Sequence, residues 1–140
     1  MIVLDTNVLS ESLKPFPSED LERWLRAQDR SVVFTTAINQ AEILYGVELL
    51  PGGKRRAHLH NAVQQMLIRE FAGKILPFDE SAARLFGPII TSRNAAGRPI
   101  SQFDAMIAAI TRSHRATIAT RDTAGFELCG IQVMNPWLGR

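Results

Sequence analysis

The sequence predicts an α/β fold: a three-layer α/β/α sandwich around a five-stranded, mostly parallel sheet. Three observations predict it. Five short apolar runs of strand length recur along 140 residues, segments of helical character separate most of them, and 46% of the residues are hydrophobic. Strands that read as continuous apolar runs are buried on both faces, and strand–helix alternation gives parallel pairing through right-handed crossovers. The length fits one domain over residues 1–140, with a core large enough to need neither disulfide nor structural zinc.

Ile2 to Asp5 is an apolar run ending in an acid, and a helix is expected from Asn7 until Pro15 and Pro17 break it. Ser18 caps a second helix that places Leu21, Trp24 and Leu25 on one face and Glu19 and Asp20 at its positive end. Val32 to Phe34 is the second strand. Thr36 caps a helix carrying Ile38, Ala41, Tyr45 and Leu49, which Pro51-Gly52-Gly53 ends. A helix from about Lys54 to Phe71 completes a helical hairpin with it.

Lys74 to Phe78 is the third strand, and Asp79 caps a helix through Leu85, Phe86, Ile89 and Ile90 that Gly97-Arg98-Pro99 closes. The helix opened by Ser101 is apolar nearly all round over Ala105 to Ile110, so it should be buried. Thr117 to Thr120 and Ile131 to Met134 are the fourth and fifth strands.

The single cysteine, Cys129, excludes a disulfide framework and any Cys-rich metal cluster, and it suits a reducing compartment. The start Met1-Ile2-Val3-Leu4-Asp5 has no basic leader character and no apolar run reaches membrane-spanning length, so the expectation is a cytoplasmic chain with no membrane partner. Net charge is only +2, yet its distribution matters: were four acids gathered in one site, the other ten against 16 bases would leave the remainder at +6. That split suits a polyanion approaching a metal-neutralised acidic pocket.

In open parallel sheets ligands bind beyond the strands' C-terminal ends, where strand order reverses. Four acids meet that positional test: Asp5 closes the first strand, Glu42 sits early in the helix after the second, Asp104 opens the helix before the fourth, and Asp122 follows the fourth. Four carboxylates brought together repel one another unless a cation neutralises them, and an oxygen-only donor set suits Mg2+ or Mn2+. Metal-assisted phosphodiester hydrolysis is the matching reaction. Each acid has a local alternative. Asp104 completes the capping-box pattern Ser101-Gln102-Phe103-Asp104, Glu42 can tilt to solvent, and Asp5 and Asp122 can be turn or cap residues.

Taken together, Ile2-Val3-Leu4-Asp5-Thr6-Asn7, Ala41-Glu42-Ile43-Leu44-Tyr45-Gly46, Ile100 to Ala109 around Asp104, and Ile118-Ala119-Thr120-Arg121-Asp122 resemble the PIN-domain family, specifically VapC-type toxins of bacterial toxin–antitoxin modules. The resemblance implies that Asp5, Glu42, Asp104 and Asp122 bind Mg2+ or Mn2+ for RNA cleavage, with Asn7 and Thr120 supporting the site. It also implies a cognate antitoxin that covers the cleft and binds operator DNA at its other end, and a toxin homodimer. The Asn135-Pro136-Trp137 ending resembles a subset of these toxins, with Trp137 as core or dimer contact.

The function these readings favour is a Mg2+-dependent endoribonuclease. Arg98 and Arg121 flank the motif segments and are candidates for substrate binding, with salt bridges as the alternative. Lys54-Arg55-Arg56 can touch phosphates or open a solvated helix. His58 and His60 face away from each other on one helix, so they do not share a metal. A rival, non-catalytic reading is a component of a DNA-binding repressor complex that works through its partner. A metal-dependent phosphatase would need a second Asp two residues after Asp5, where Asn7 stands.

Overall fold

The computed structural model describes residues 1–140. The chain runs β1 (Ile2–Leu4), α1 (Thr6–Ser12), α2 (Glu19–Ala27), β2 (Val33–Thr36), α3 (Ala37–Glu48), α4 (Lys54–Glu70), β3 (Ile75–Leu76), α5 (Glu80–Ala95), α6 (Gln102–Ser113), β4 (Thr117–Ala119) and β5 (Gln132–Met134). All pairings are parallel and the strand order is β3-β2-β1-β4-β5. The chain steps outward from β1 in one direction and then returns to its other side, so the topological switch point lies between β1 and β4.

Successive strand residues point to opposite faces, and here each face has its own core. Val3 and Ile118 join Ile89, Ile107, Ile110 and Phe126 beneath α5 and α6. Leu4 and Ala119 join Val8, Leu9, Leu21, Trp24, Val47, Val63 and Leu67 beneath α1 to α4. These two cores are the sandwich that the sequence predicts, and the sheet between them is wholly rather than mostly parallel. Helix α6 is buried over Ala105 and Ile107 to Thr111, as its all-round apolar character requires.

The fourth strand ends at Ala119 rather than Thr120 and the fifth begins at Gln132 rather than Ile131, and four further expectations change. Helix α1 starts at Thr6 rather than Asn7, because Asp5 is itself the cap and accepts from the Thr6 amide. Val32 belongs to a 3-10 turn over Arg30–Val32, which Asp29 caps by accepting from the Ser31 amide, so β2 begins one residue later. The third strand is only Ile75–Leu76, since Pro77 has no amide to continue the ladder. On α3 the inward residues are Asn39, Ile43 and Val47, while Tyr45 and Leu49 are 61% and 67% exposed. That helix is apolar on more than one side, so packing against α1 and α4 chooses the face.

Candidate active site

Asp5 stands at the C-terminal end of β1, beside the switch point. Its amide donates to the Ala119 carbonyl at 3.0 Å, which fixes it against the end of β4. The side chain is 6% exposed and surrounded by donors. Oδ1 accepts from the Thr6 amide at 2.8 Å and from Asn39 Nδ2 at 3.1 Å. Oδ2 accepts from Thr120 Oγ1 at 2.7 Å and from Asn7 Nδ2 at 3.4 Å. Burial pushes the Asp5 pKa up, these bonds from Thr120, Thr6 and Asn39 oppose it, and the nearby Asp122 charge raises it further.

The other three predicted acids line the same cavity, of about 500 Å³, together with Asp5, Asn7, Arg121 and Trp137. Glu42 reaches it from α3, with Oε1 accepting from Thr6 Oγ1 at 2.9 Å. Asp104 sits in the first turn of α6, where its amide donates to Ser101 Oγ at 3.1 Å. The reciprocal half of a capping box, from the Ser101 amide to the Asp104 carboxylate, is not formed, so that carboxylate is left to the cavity. Asp122 follows β4, with its amide donating to Thr120 Oγ1 at 3.1 Å and Oδ1 accepting from the Gly125 amide at 3.1 Å.

Burial raises the pKa of Glu42 and of Asp104. Asp5 and Asp104 add repulsion at Glu42, while Asp5 and Asp122 add it at Asp104. None of the four acids is paired with a lysine or arginine, although seven other acids are. No three of them converge into a ready-made ligand set, and Asp5, Glu42 and Asp122 each accept from neighbouring donors instead. The donor chemistry nevertheless fits a hard divalent cation, since four carboxylates without counter-ions face one space and three are disfavoured in their charged form.

The PIN-domain family model matches residues 2–129. The chain belongs to the PIN-domain family. It is 42% identical to toxin FitB of Neisseria gonorrhoeae over 98% of this chain and 99% of that one, and 38% identical to VapC ribonuclease Y4jK of Sinorhizobium fredii over 98% of each. The crystal structure of FitAcB from Neisseria gonorrhoeae superposes with a TM-score of 0.90 at 42% identity, covering 98% of this chain and 99% of that one. FitAB bound to a DNA fragment gives the same TM-score and identity, covering 98% and 96%.

In this PIN domain Asn7 and Thr120 tie the two strands at the switch point together. Asn7 Nδ2 donates to Thr120 Oγ1 at 3.0 Å, and Asn7 Oδ1 accepts from the Arg121 amide at 3.1 Å. Arg121 reaches the cavity, but Arg98 does not. Arg98 pairs with Glu127 at 2.6 Å and donates to the Ala124 carbonyl at 3.2 Å, which makes it a tie between loops rather than a cavity residue. Arg56, of the basic run, pairs with Glu48. Cys129 is buried, and burial pushes its thiol pKa up.

Sequence reasoning missed Asn39. It is wholly buried; its Oδ1 accepts from Thr36 Oγ1 at 2.6 Å, and its Nδ2 donates to Asp5 Oδ1 and, at 3.0 Å, to Thr6 Oγ1. Thr6 in turn donates to Glu42, so one amide positions two site acids. The available signal was spacing: Asn39 lies three residues before Glu42, on the same side of a helix.

Gly125 was missed as well. A Cβ there would collide with the Asp122 carboxylate, so an alanine would force that carboxylate out of its place. Gly125→Ala is therefore expected to cost about 1 kcal/mol or less in thermal unfolding, as at a surface turn, while lowering any activity that depends on Asp122. Unaltered activity would show that Asp122 need not stand where it does.

Proposed function

We propose that this PIN domain is a Mg2+-dependent endoribonuclease and acts as the toxin of a toxin–antitoxin pair. The observation that carries the reading is one cavity at the switch point lined by four carboxylates, none of them paired with a cationic side chain. Relatives named VapC ribonuclease and tRNA(fMet)-specific endonuclease VapC, the latter of Shigella flexneri at 30% identity, support the substrate class. Asp5, Glu42, Asp104 and Asp122 would hold Mg2+, or Mn2+ in its place. Bound there, the ion supplies a water of lowered pKa and offsets charge on the leaving oxygen of a phosphodiester.

The chain's own residues do the positioning. Thr120, Asn7 and Asn39 hold the Asp5 carboxylate in one rotamer, and Thr6 holds Glu42. Arg121, at the rim of the cavity, is the cationic side chain placed to meet the substrate. A cognate antitoxin, operator DNA bound only through it, homodimerisation and action in the cytosol complete the proposal. The structure of FitAB on DNA supports the antitoxin and DNA parts of it, and no helix here is long and apolar enough to cross a membrane.

Cleavage of total cellular RNA by the purified chain, with Mg2+, with EDTA and with Asp104→Asn, tests the reading. Discrete new RNA ends that require both Mg2+ and Asp104 are expected. A folded, antitoxin-free preparation that cuts nothing would overturn it in favour of a non-catalytic component of a repressor complex.

The raised pKa values predict a pH dependence. A folded-state pKa above the unfolded one means that the folded chain binds more protons in between, so the stability contributed by Asp5, Glu42 and Asp104 falls as pH rises through that window. In EDTA, Asp104→Asn is expected to be more stable than the unsubstituted chain at neutral pH, with the difference shrinking as pH falls through the carboxylate range. Saturating Mg2+ should reverse the order, adding about 2.7 kcal/mol to the unsubstituted chain at 100 times Kd. Thermal unfolding across pH, with and without Mg2+, reads both effects.

A further inference from the structure

We propose that the Arg121 guanidinium, held over the Trp137 ring, is a stacking subsite for one unpaired RNA base at the mouth of the acidic cavity. The inference rests on the ribonuclease reading and deepens it. The chain has two tryptophans, and they are placed differently. Trp24 is buried in the core, whereas Trp137 is half-buried, packs one side against the apolar cluster under α1 to α4, and lines the cavity. The Arg121 guanidinium carbon lies 4.9 Å from the centre of the Trp137 ring.

Both partners are anchored through their backbones. The Arg121 amide donates to Asn7 Oδ1, and the Trp137 amide donates to Asn135 Oδ1 at 2.9 Å. The pair is therefore fixed relative to Asp5, to which Asn7 also donates. Five acids line the cavity against two cations, Lys14 and Arg121. Lys14 is taken by Glu11 at 2.6 Å, yet Arg121 makes no salt bridge and its side chain makes no hydrogen bond. A guanidinium that forms no ion pair with the surrounding carboxylates and lies against an indole keeps its donors and its outer side available.

That chemistry selects a ligand. Carboxylate walls repel a phosphate backbone, so affinity for RNA must come from the rim as well as from the cation. Unpaired bases stack on aromatic rings and on arginine planes, and bases in an A-form duplex are already stacked on their neighbours. A base on Arg121 would place the adjoining phosphodiester beside the four acids, which makes the subsite a selector for single-stranded substrate.

The test is affinity of the full-length chain for a short, end-labelled single-stranded oligoribonucleotide, with Ca2+ replacing Mg2+ to slow turnover, read by fluorescence anisotropy. A set of oligonucleotides carrying one abasic nucleotide at successive positions is compared with the intact strand. Removal of the base at one position should weaken binding about 10-fold, the scale of a single stacked base. Arg121→Lys keeps the charge and removes the plane. It should bind the intact strand about 10-fold more weakly and show a flat abasic profile, and Trp137→Leu should repeat that pattern. A flat profile in the unsubstituted chain, unchanged affinity in Arg121→Lys, or no binding of RNA would each overturn the subsite. Mg2+-dependent cleavage alongside a flat profile would remove the subsite and leave the ribonuclease reading standing. A position-selective profile without cleavage would support the subsite and remove the nuclease.

Discussion

Asp5→Asn is expected to lower Mg2+-dependent RNA cleavage by at least about 10²-fold, the scale at which loss of one preorganised charge-stabilising group reduces turnover. The substitution keeps size and shape but removes the charge and turns one acceptor into a donor. Asp5 accepts from four donors, so an asparagine must set its own amide against one of them. The Oδ2 side is the less costly to give up, since its Asn7 contact is already 3.4 Å long, although Thr120 Oγ1, which accepts from Asn7 and from the Asp122 amide, then loses the acceptor for its own hydrogen. Folding should survive, because burial already disfavours the charged form of Asp5. A folded Asp5→Asn protein with full metal-dependent cleavage would show that this carboxylate is not part of the reacting centre.

The second large effect is expected at a residue that touches no substrate. Asn39→Leu removes the amide that donates to both Asp5 and Thr6 and leaves the Thr36 hydroxyl without its acceptor. Leaving buried polar groups unsatisfied costs about 1–3 kcal/mol, which equilibrium denaturation would read. Partners that orient ligands typically change metal affinity or activity about 10–100-fold, so the Mg2+ concentration for half-maximal cleavage should rise by that order. An increase in that concentration separates a positioning role from a purely structural one. Destabilisation with an unchanged Mg2+ requirement would assign Asn39 to the fold alone.

How much of this was legible depended on whether the cause was local. Ile2 to Leu4 and Thr117 to Ala119 could be read as strands because Val3, Leu4, Ile118 and Ala119 are apolar and covered from both faces. The strand order was not written in any segment; the rule that ligands bind past strand ends made Asp5, Glu42, Asp104 and Asp122 candidates while leaving cap and turn roles open, the family resemblance joined them into one site, and the structure brings them to one cavity. Asn39 escaped because a polar residue in the first turn of a helix looks like a surface residue until its partner, 34 positions away, is folded beside it. Which face of α3 turns inward was not legible, because the helix is apolar on two sides and tertiary contacts choose Ile43 and Val47 over Tyr45 and Leu49. For Arg98 the sequence left substrate contact and salt bridge equally open, and its bonds to Glu127 and the Ala124 carbonyl are of the second kind.

Binding of a divalent cation by these four carboxylates can be measured directly. Mn2+ has unpaired electrons, so its free and bound forms can be counted directly by electron paramagnetic resonance during a titration. At neutral pH the unsubstituted chain should take up Mn2+, Mg2+ should compete for the same site, and Asp5→Asn and Asp104→Asn should each bind far more weakly. Equal uptake by all three proteins, or no uptake by a preparation that still cleaves RNA, would contradict the account.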